Sequence, residues 1–547
     1  MPRDAINDPR LVGGRWVRWD DERAADAYAR RWWVRCTLAD SLREAARRTP
    51  QRVVLIDGDC HLDCRTLYAQ ASALAQALLA RMPVGSVVSF MLPNWHEAAV
   101  IYLAATLAGM VVHPILPSLR ERELRMLLAD VGSRMIFVAA TWRGHDLASM
   151  VASVAGQLGT GVVVVRGESA DHACYAHLLA DPAEPRELPT VDPDAVRMIL
   201  YTSGTAGRPK GALHTHNSIH ALICQIRDHW LVEDGDRFLV PSPITHIGGS
   251  IYAFECPLLL GTTAVLMDRW NADDAVHLMQ TERCTHLAGA TPFLEQLLGA
   301  ARRTGTRLPD LKVFICGGAS VSPSLIRSAA GYFHRAVVTR AYGCTEVPVI
   351  TIGAPDRSDA DHAADTDGRT GFAEVNIADH DAAPVGAGEI LARGPQMFVG
   401  HLHPEDDSGS FDAAGFFRTG DLGRWVDGDY LVVTGRVKDI IIRSGENISP
   451  KEVEDLLAGH PDIAEVAVVG LPDAHTGERA CAVVVPRAKP GPDVADLRSF
   501  LAAQGVARFK APEQVAIWDA LPKNDAGKVL KDEIKAALTA EPTEAGG

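Results

Sequence analysis

Tyr201-Thr-Ser-Gly-Thr-Ala-Gly-Arg-Pro-Lys210-Gly211 follows a strand-like run at 197–200 and concentrates glycines, hydroxyl groups and cations in one short segment. Such a loop can wrap backbone N–H groups around phosphate oxygens while Lys210 supplies a positive charge. It is not a Walker loop, because Pro209 stands where that motif has glycine before the lysine. The segment therefore predicts a phosphate-binding loop at the end of a strand.

Apolar runs and helical patterns alternate around this loop. Short apolar runs at 53–56, 87–90 and 162–165 are typical of buried strands. Helical patterns lie between such runs, as at 67–81 and 120–130. Strands that alternate with helices favour a largely parallel sheet covered by helices. The sequence therefore predicts an α/β fold.

The chain of 547 residues is too long for one ordinary domain. A second, compact pattern of helices and strands begins near Gly435-Arg436 and occupies about 110 residues, enough for an independent small domain. We predict a large N-terminal domain of helix-covered β-sheets at 1–435 and a small α+β C-terminal domain at 436–547.

Composition excludes several classes of protein. Hydrophobic residues make up 47% and charged residues 22%, as in ordinary globular proteins, and the net charge of −15 argues against a nucleic-acid-binding protein. The longest apolar stretch, 98–112, is too short to span a membrane and predicts a buried helix that turns into a strand. The N-terminus shows no apolar signal segment, and the ten cysteines show no zinc-like pairing, so we expect a cytoplasmic protein with reduced thiols.

Four further motifs follow the loop in a fixed order: Tyr342-Gly-Cys-Thr-Glu346, Thr419-Gly-Asp421, Gly435-Arg436-Val-Lys438-Asp439 and Leu521-Pro-Lys-Asn-Asp-Ala-Gly-Lys528. Together with 201–211 they resemble the motifs of the adenylate-forming superfamily, which includes acyl-CoA synthetases, aryl-acid ligases, luciferases and peptide-synthetase adenylation domains. The resemblance covers nearly the whole chain, and five ordered motifs are far more specific than one. It implies an enzyme that uses ATP and Mg²⁺ to make an acyl-adenylate from a carboxylic acid, and then passes the acyl group to the thiol of coenzyme A.

The resemblance also implies a role for each matching residue. Tyr342 would stack on adenine, and Asp421 would accept hydrogen bonds from the ribose hydroxyls. Thr345 would contact the α-phosphate, and Glu346 would hold Mg²⁺, a cation that prefers oxygen ligands and bridges ATP phosphates. The full set of expected ATP- or AMP-binding residues is Thr202, Ser203, Gly204, Thr205, Lys210, Gly318, Tyr342, Asp421 and Arg436.

The small domain of the family moves between the two half-reactions, and the motifs imply how. Lys528 would reach the substrate carboxylate and the α-phosphate as a preorganised cation. Lys438 would be the hinge, since domain closure takes up large dihedral changes over a few residues. After the rotation, Ser444, Gly445 and Glu446 would line the channel for the thiol. Local positive charge is expected from the basic residues of this domain: Arg436, Lys438, Arg443, Lys451, Arg508, Lys510, Lys523, Lys528 and Lys531.

Small residues predict the acyl pocket, because glycine and alanine leave volume that larger side chains would fill. They are Gly248, Gly249, Gly289, Gly317 and Ala341. His246 matches a family position beside this pocket, where it would gate thiol entry or contact the carboxylate; a satisfied core histidine is the alternative. No carboxylate follows this segment to pair with a substrate ammonium, which disfavours amino acids. Runs at 92–95, 120–123 and 289–293 resemble cyclohexanecarboxylate-CoA ligases and so imply an alicyclic or bulky apolar acid.

Three residues depart from the family pattern. Ala206 replaces a hydroxyl residue that normally faces the phosphates, Ser320 replaces a common proline, and His401 replaces a common tyrosine. Because of Ala206, an enzyme that mainly thioesterifies a preformed adenylate stays open as an alternative. A carrier-protein thiol as acceptor and a non-catalytic relative also stay open, as do a monomer and a homodimer.

Two histidine-rich clusters suggest metal sites only superficially. They are His214, His216 and His220, after the phosphate loop, and His401, His403 and Glu405, in a polar segment. We expect the first cluster to continue from the loop into a helix, and we expect metal binding at neither.

Overall fold

The computed structural model describes residues 9–180, 185–202, 208–318, 321–354, 356–380, 383, 386–443, 446–473, 475–524 and 527–540. Within these ranges, most strands belong to four sheets, and helices pack against them. The α/β fold with a large N-terminal part and a small C-terminal part is confirmed. No helix in the described ranges is both long enough and apolar enough to cross a membrane.

The phosphate loop lies at one edge of a seven-stranded sheet. Its order is Ala173–Cys174, Gly161–Val165, Ser133–Ala139, Val87–Met91, Val111–Pro114, Val196–Thr202 and Lys210–Thr215. The last two strands form an antiparallel pair in which Thr202 lies opposite Lys210, and the other neighbours are parallel. Residues 203–207, which join this pair, lie outside the described ranges. Both stems of the loop are therefore held by one sheet.

A second seven-stranded sheet leads into the segments predicted to bind the acyl group and adenine. Its order is Val337–Arg340, Val313–Cys316, His286–Gly289, Arg237–Val240, Thr263–Leu266, Val53–Asp57 and Cys60–Asp63. All neighbours are parallel except the final pair. Ligands of parallel sheets bind beyond the carboxyl ends of the strands, so the loops after Val240, Gly289, Cys316 and Arg340 are where a site is expected.

Two smaller sheets complete the chain. The antiparallel strands Glu374–Ala378, Gly388–Arg393, Phe417–Val426 and Tyr430–Arg436 form one. The chain then passes through a short 3₁₀ helix, Val437–Asp439, into a sheet made of Ile441–Arg443, Glu446–Ile448, Ile463–Asp473, Gly477–Pro486 and Gln514–Ile517. That last sheet has its own apolar clusters on both faces. The change of sheet thus falls between Arg436 and Ile441.

The longer helices cover the two large sheets and the C-terminal sheet. In chain order they are Asp21–Ala29, Leu38–Arg48, Cys64–Leu79, His96–Leu107, Glu121–Asp130, Leu147–Leu158, His216–His229, Ala272–Thr281, Thr291–Thr304, Pro323–Tyr332, Pro450–Leu457, Val494–Ala503 and Lys531–Ala540. Shorter helices are Tyr175–Ala180, Ile247–Ser250, Cys256–Leu259 and Ala360–Asp365, and the π-helix Ile251–Glu255 joins two of them. The helix His96–Leu107 is apolar on nearly every face and almost wholly buried, as expected of a central helix.

Most local predictions are confirmed. The runs at 53–56, 87–90 and 162–165 lie in strands, and residues 98–112 form a buried helix followed by a strand. The first histidine cluster leads into a helix as predicted, but the helix does not include His214. His214 lies in the strand Lys210–Thr215, and the helix begins at His216, where Thr215 caps it through Ser218.

Candidate active site

Asp421 is the centre of a hydrogen-bonded group between two antiparallel strands. Its carboxylate is buried and lies opposite Arg436, whose Nε is 2.8 Å from Oδ1. The hydroxyl of Tyr342 donates to Oδ2 at 2.8 Å. Burial and then Asp421 raise the pKa of Tyr342 well above its usual value. Burial lowers the pKa of Arg436, but Asp421, Asp439 and Tyr342 together outweigh burial and raise it. The ring of Tyr342 and the guanidinium of Arg436 are therefore held by one carboxylate.

Glu346 lies beside Thr202, the last described residue before the phosphate loop, and we call this end of the loop its neck. Thr202 Oγ1 donates to Glu346 Oε1 at 3.3 Å. The imidazole of His401 faces the same oxygen, with Nε2 at 3.9 Å. Burial raises the pKa of Glu346, but His401, together with backbone and Cys344 hydrogen bonds, outweighs burial and lowers it. The loop neck thus carries an ionised carboxylate before any ligand arrives.

The other stem of the loop is held by the segment 401–407. Lys210 donates from Nζ to the carbonyl oxygen of Asp406 at 3.0 Å, and Arg208 forms an ion pair with the Asp406 carboxylate at 2.8 Å. The backbone N–H of Leu402 donates to the carbonyl of Gly211 at 2.7 Å. Lys210, which the sequence assigns to ATP phosphates, therefore bonds to a protein carbonyl in this structure. Ser203, Gly204 and Thr205 lie outside the described residues.

Lys528 approaches this site from the C-terminal part of the chain. Gly527, with φ of +80°, makes the turn, and a Cβ on it would lie 3.2 Å from the side chain of Pro292 in the N-terminal part. The backbone N–H of Lys528 donates to Asn524 Oδ1 at 2.8 Å. Its loop therefore touches the start of the helix Thr291–Thr304, at the edge of the acyl-pocket segments.

The ammonium of Lys528 is poorly compensated. Burial and then the positive charge of Arg436 lower its pKa to about 8, and Asp421 offsets only part of this effect. Within the described part of the chain, no carboxylate lies within ion-pair distance of Nζ. Lys438, the predicted hinge residue, is exposed in the 3₁₀ helix Val437–Asp439, and its charge also acts on Lys528.

Most of the other basic residues of the small domain have acidic partners. Most are neutralised by ion pairs: Arg436 with Asp421, Arg443 with Glu513, Lys451 with Asp455, Lys510 with Glu452, Lys523 with Glu465 and Lys531 with Glu454. Near the site, Lys528 and Lys438 form no ion pair with a carboxylate of the described residues.

Thr345 and His246 lie on loops that other side chains fix. His214 Nε2 donates to the carbonyl of Thr345 at 2.8 Å, and burial lowers the pKa of His214 to about 4, so the imidazole is neutral. His246 is half-buried and precedes the helix Ile247–Ser250. Buried Asn94 holds the segment that leads to His246. The Nδ2 of Asn94 donates to the carbonyls of Val240, Ser242 and Met267, at 2.9 to 3.1 Å.

The glycines of the expected acyl pocket lie in two kinds of surroundings, close neighbours or open space. Three are required by close neighbours, because a Cβ would lie within 2.6 Å of another group: Gly249 against the Pro243 carbonyl, Gly289 against the Phe293 ring, and Gly317 against the Ala341 carbonyl. A Cβ on Gly248 or Gly318 would meet nothing within 4 Å. Open space therefore borders only these last two among the pocket and adenine-side glycines named from the sequence.

Two residues of the expected thiol channel, Ser444 and Gly445, lie outside the described residues. Glu446 is exposed and begins the strand Glu446–Ile448. It therefore lies on the C-terminal sheet, a few residues beyond the 3₁₀ helix that carries Lys438.

Several histidines of the two clusters hydrogen-bond to protein groups. His214 bonds to Ser218 and Thr345, His220 to the Trp32 carbonyl, and His403 to Asp130. In the described residues, one group has metal-like spacing, Asp57 with His96 and Glu97. Arg166 forms ion pairs with both of its carboxylates, so a guanidinium already supplies the positive charge there.

Sequence reasoning missed the partners that hold the site. The sequence points to Asn94 only within a resemblance, to His401 only as a departure and as part of a histidine-rich cluster, and to Asp406 and Asp407 not at all. The unusual His401 was the available signal, but its partner Glu346 is 55 positions away, a separation that no local pattern reports.

Comparison with known proteins agrees with this geometry. The AMP-binding enzyme family model matches residues 42–402, and the AMP-binding enzyme C-terminal domain model matches 452–528. The medium-chain fatty-acid–CoA ligase of Escherichia coli strain K12 is 31% identical, over 96% of each chain. The indoleacetate–CoA ligase of Aromatoleum aromaticum is 33% identical, over 86% of this chain and 92% of its own. ATP-bound MatB from Rhodopseudomonas palustris has a TM-score of 0.81 at 28% identity, over 92% of this chain and 99% of that one.

Proposed function

The chain belongs to the AMP-binding enzyme family, and from that premise we propose that it joins a bulky apolar carboxylic acid to coenzyme A. It is an ATP-dependent, AMP-forming acid–CoA ligase that works through an acyl-adenylate. The residue roles, the class of acid and the motion between the two steps are the parts that we infer.

The observation that carries the proposal is the position of Lys528. An ammonium that is partly buried, has a lowered pKa and lacks a carboxylate partner in the described chain is poised for an anionic ligand. It belongs to a loop that touches Pro292 and lies within electrostatic reach of Asp421. A nucleotide whose ribose binds Asp421 would bring its α-phosphate towards this charge.

In the first step, a carboxylate oxygen of the acid attacks the α-phosphorus, the bond to the bridging oxygen breaks, and pyrophosphate leaves. Lys528 neutralises charge on the pentavalent phosphorus, and Thr345 orients the α-phosphate. Asp421 accepts the ribose hydroxyls, and Tyr342 stacks on adenine while its hydroxyl stays on Asp421. Arg436, beside the same carboxylate, supports the ribose side of the site.

Glu346 fits a magnesium ion. Its ionised carboxylate lies at the loop neck beside Thr202, and no lysine or arginine in the described residues forms an ion pair with it. Mg²⁺ typically takes one or two protein carboxylates together with water and substrate phosphates. When bound, the ion would neutralise phosphate charge, and Glu346 would anchor it to the protein.

In the second step, the thiol attacks the acyl carbonyl, AMP leaves, and a thioester forms. Lys528 must withdraw so that the thiol can reach the carbonyl. Rotation about Lys438, at the change of sheet, would remove the lysine loop and bring Glu446 towards the site. His246 stands beside the acyl segments, where it can gate the entry of the thiol.

The class of acid rests on three supports. Open space next to Gly248 leaves room for a bulky group, and no carboxylate of the His246 segment is available for a substrate ammonium. Relatives named for medium-chain fatty acids and for indoleacetate act on acids with apolar bodies. We infer an apolar acid, with an alicyclic body preferred over a long straight chain.

The test measures each half-reaction on the purified protein. Acid-dependent exchange of pyrophosphate into ATP reports adenylation, and CoA-ester formation from a synthetic adenylate reports thiol transfer. We expect both, with cyclohexanecarboxylate exchanging faster than a straight-chain acid of similar size. Exchange with no acid of an alicyclic, aryl and fatty panel would reject adenylation, and transfer only to a carrier-protein phosphopantetheine would reject coenzyme A as acceptor.

A further inference from the structure

His401 lies between two carboxylates in the wall of the phosphate-loop neck. Its side chain is 2% exposed. Nδ1 lies 2.7 Å from Asp407 Oδ1, and Nε2 lies 3.9 Å from Glu346 Oε1. Nδ1 donates to Asp407, and an Nε2 that faces a second carboxylate also carries hydrogen, because a lone pair there would repel Glu346. The imidazole thus lies between the two acids, with one ring nitrogen directed at each.

The ring has little freedom to turn. It packs edge-on against Phe398, with the ring centroids 4.9 Å apart and an interplanar angle of 73°. Asp407 Oδ1 also accepts a hydrogen bond from the backbone N–H of His401 at 3.2 Å. One carboxylate therefore binds both the ring and the main chain of His401. The direction of Nε2 is therefore set by packing and by Asp407, independently of Glu346.

The backbone beside His401 is shaped for this contact. Gly400 has φ of +118°, and a Cβ there would lie 3.0 Å from Asp407 Oδ2. Only glycine adopts this conformation readily and leaves room for the carboxylate to fold back onto the ring. Nδ1 of His401 is bonded to Asp407. Nε2 forms no hydrogen bond in the described residues, so no other group draws it away from Glu346.

We propose that His401, held by Asp407, is a positioning residue that orients the Glu346 carboxylate for the metal. This rests on Glu346 as the magnesium ligand proposed above. Thr202 donates to Glu346 Oε1, and His401 Nε2 faces the same oxygen, so these two groups together restrict the direction of the carboxylate. Groups that hold a ligating carboxylate from outside typically contribute 10- to 100-fold in metal affinity.

The test measures metal affinity without the acid or coenzyme A. Binding of a fluorescent ATP analogue is titrated with Mg²⁺, and Mn²⁺ binding to the protein–ATP complex is followed by electron paramagnetic resonance. His401→Phe keeps an aromatic ring against Phe398 but removes both ring nitrogens, and we expect its metal midpoint to rise roughly 10- to 100-fold. His401→Gln keeps an N–H directed at Glu346 and should recover most of the loss.

The matched control is His362→Phe. His362 also lies between two carboxylates, Asp359 and Asp427, but it stacks on Tyr430 away from the loop neck, so its metal midpoint should not move. If His401 only filled the core, His401→Phe would lower adenylation equally at all metal concentrations. In the positioning role, excess Mg²⁺ restores the rate.

A midpoint within about twofold of the wild type in a folded His401→Phe, alongside a large shift in Glu346→Gln, would overturn the inference and leave the metal site standing. No shift in either variant would remove the proposed metal site as well. If His401→Phe does not fold, Asp407→Asn takes its place, because it weakens the grip on Nδ1 without changing the ring. An unchanged midpoint in Asp407→Asn would then count equally against the inference.

Discussion

The two sides of the candidate site treat charge in opposite ways. On the phosphate-loop side, charges are partnered by the protein: Lys210 and Arg208 bond to Asp406, and Glu346 faces His401. On the lysine-loop side, the ammonium of Lys528 has no carboxylate within ion-pair distance in the described chain, and its pKa falls to about 8. On the first side the protein itself neutralises the charges. On the second side, a bound ligand must supply the negative charge that pairs with the ammonium.

This difference follows from how each side is built. The loop stems are neighbouring strands of one sheet, so their partners can be fixed permanently. Lys528 reaches the site on a loop from another sheet and, in our proposal, leaves again after the first step. A permanent carboxylate partner would hold it in place, because breaking a buried ion pair is costly. The comparison therefore predicts that substitutions on the lysine side act on one half-reaction.

Lys528→Ala gives the largest expected effect. Adenylation should fall by roughly 10²–10³-fold, the scale for losing one preorganised donor to a transition state. CoA-ester formation from a supplied adenylate should survive. Pyrophosphate exchange and single-turnover thioesterification measure the two steps. The control is Lys523→Ala in the same loop, where Glu465 already neutralises the lysine. Undiminished exchange in Lys528→Ala would remove this residue from catalysis.

Asp421→Ala tests the fixed nucleotide contact. Loss of a charged acceptor for the ribose hydroxyls should weaken ATP binding by about 1.5–3 kcal/mol, roughly 10- to 150-fold. Calorimetric titration with ATP and with a non-hydrolysable acyl-adenylate analogue measures it. Tyr342→Phe removes only the hydroxyl that donates to the same carboxylate, so a smaller loss, about 0.5–1.5 kcal/mol, is expected there. Equal affinities in Asp421→Ala and the wild type would exclude the ribose role.

Lys438→Pro separates the moving side from the fixed side. Proline restricts φ and removes an N–H, so rotation at the change of sheet should be hindered. We expect thioesterification to fall about tenfold more than adenylation, which corresponds to about 1.4 kcal/mol of additional barrier. Lys438→Ala keeps a free backbone and should lose much less. An equal fall in both half-reactions of Lys438→Pro would mean that the residue is structural.

The pH dependence of adenylation should report the titration of Lys528, whose charge has no carboxylate partner in the described residues. The cation is the active form, so kcat/KM for ATP should fall as pH rises through about 8, the lowered pKa of Lys528. Between pH 7 and pH 9 the expected loss is about tenfold. The falling limb of kcat should lie higher, because bound phosphate favours the cation. Lys528→Arg should move the kcat/KM limb upward, and a limb that stays near 8 in this variant would assign it to another group.

Local sequence patterns were enough to predict the helices and strands and to locate the motifs. Runs of β-branched residues at 162–165 and the apolar stretch at 98–112 predicted their strand and helix, because side-chain periodicity is a property of adjacent residues. The resemblance predicted that Asp421, Tyr342 and Arg436 would share one place, and the structure brings them into one hydrogen-bonded group.

Local patterns gave the wrong cause for the small residues. The acyl-pocket glycines were interpreted as space for a ligand, yet Gly249, Gly289 and Gly317 are small because Pro243, Phe293 and Ala341 press against them. A glycine in the sequence shows that a side chain is missing, but only the packed structure shows whether a ligand or a neighbour takes its place.

By itself, the sequence determined the α/β class, the order of the motifs and the family, since each depends on residues close together in the chain or on a fixed series of short patterns. Only the tertiary structure decided which charges are neutralised. Lys210 meets Asp406, and Glu346 faces His401, across long separations, while Lys528 meets no carboxylate in the described residues. The electrostatic environment of a side chain depends on what folding brings within a few ångströms of it, and sequence spacing does not encode that distance.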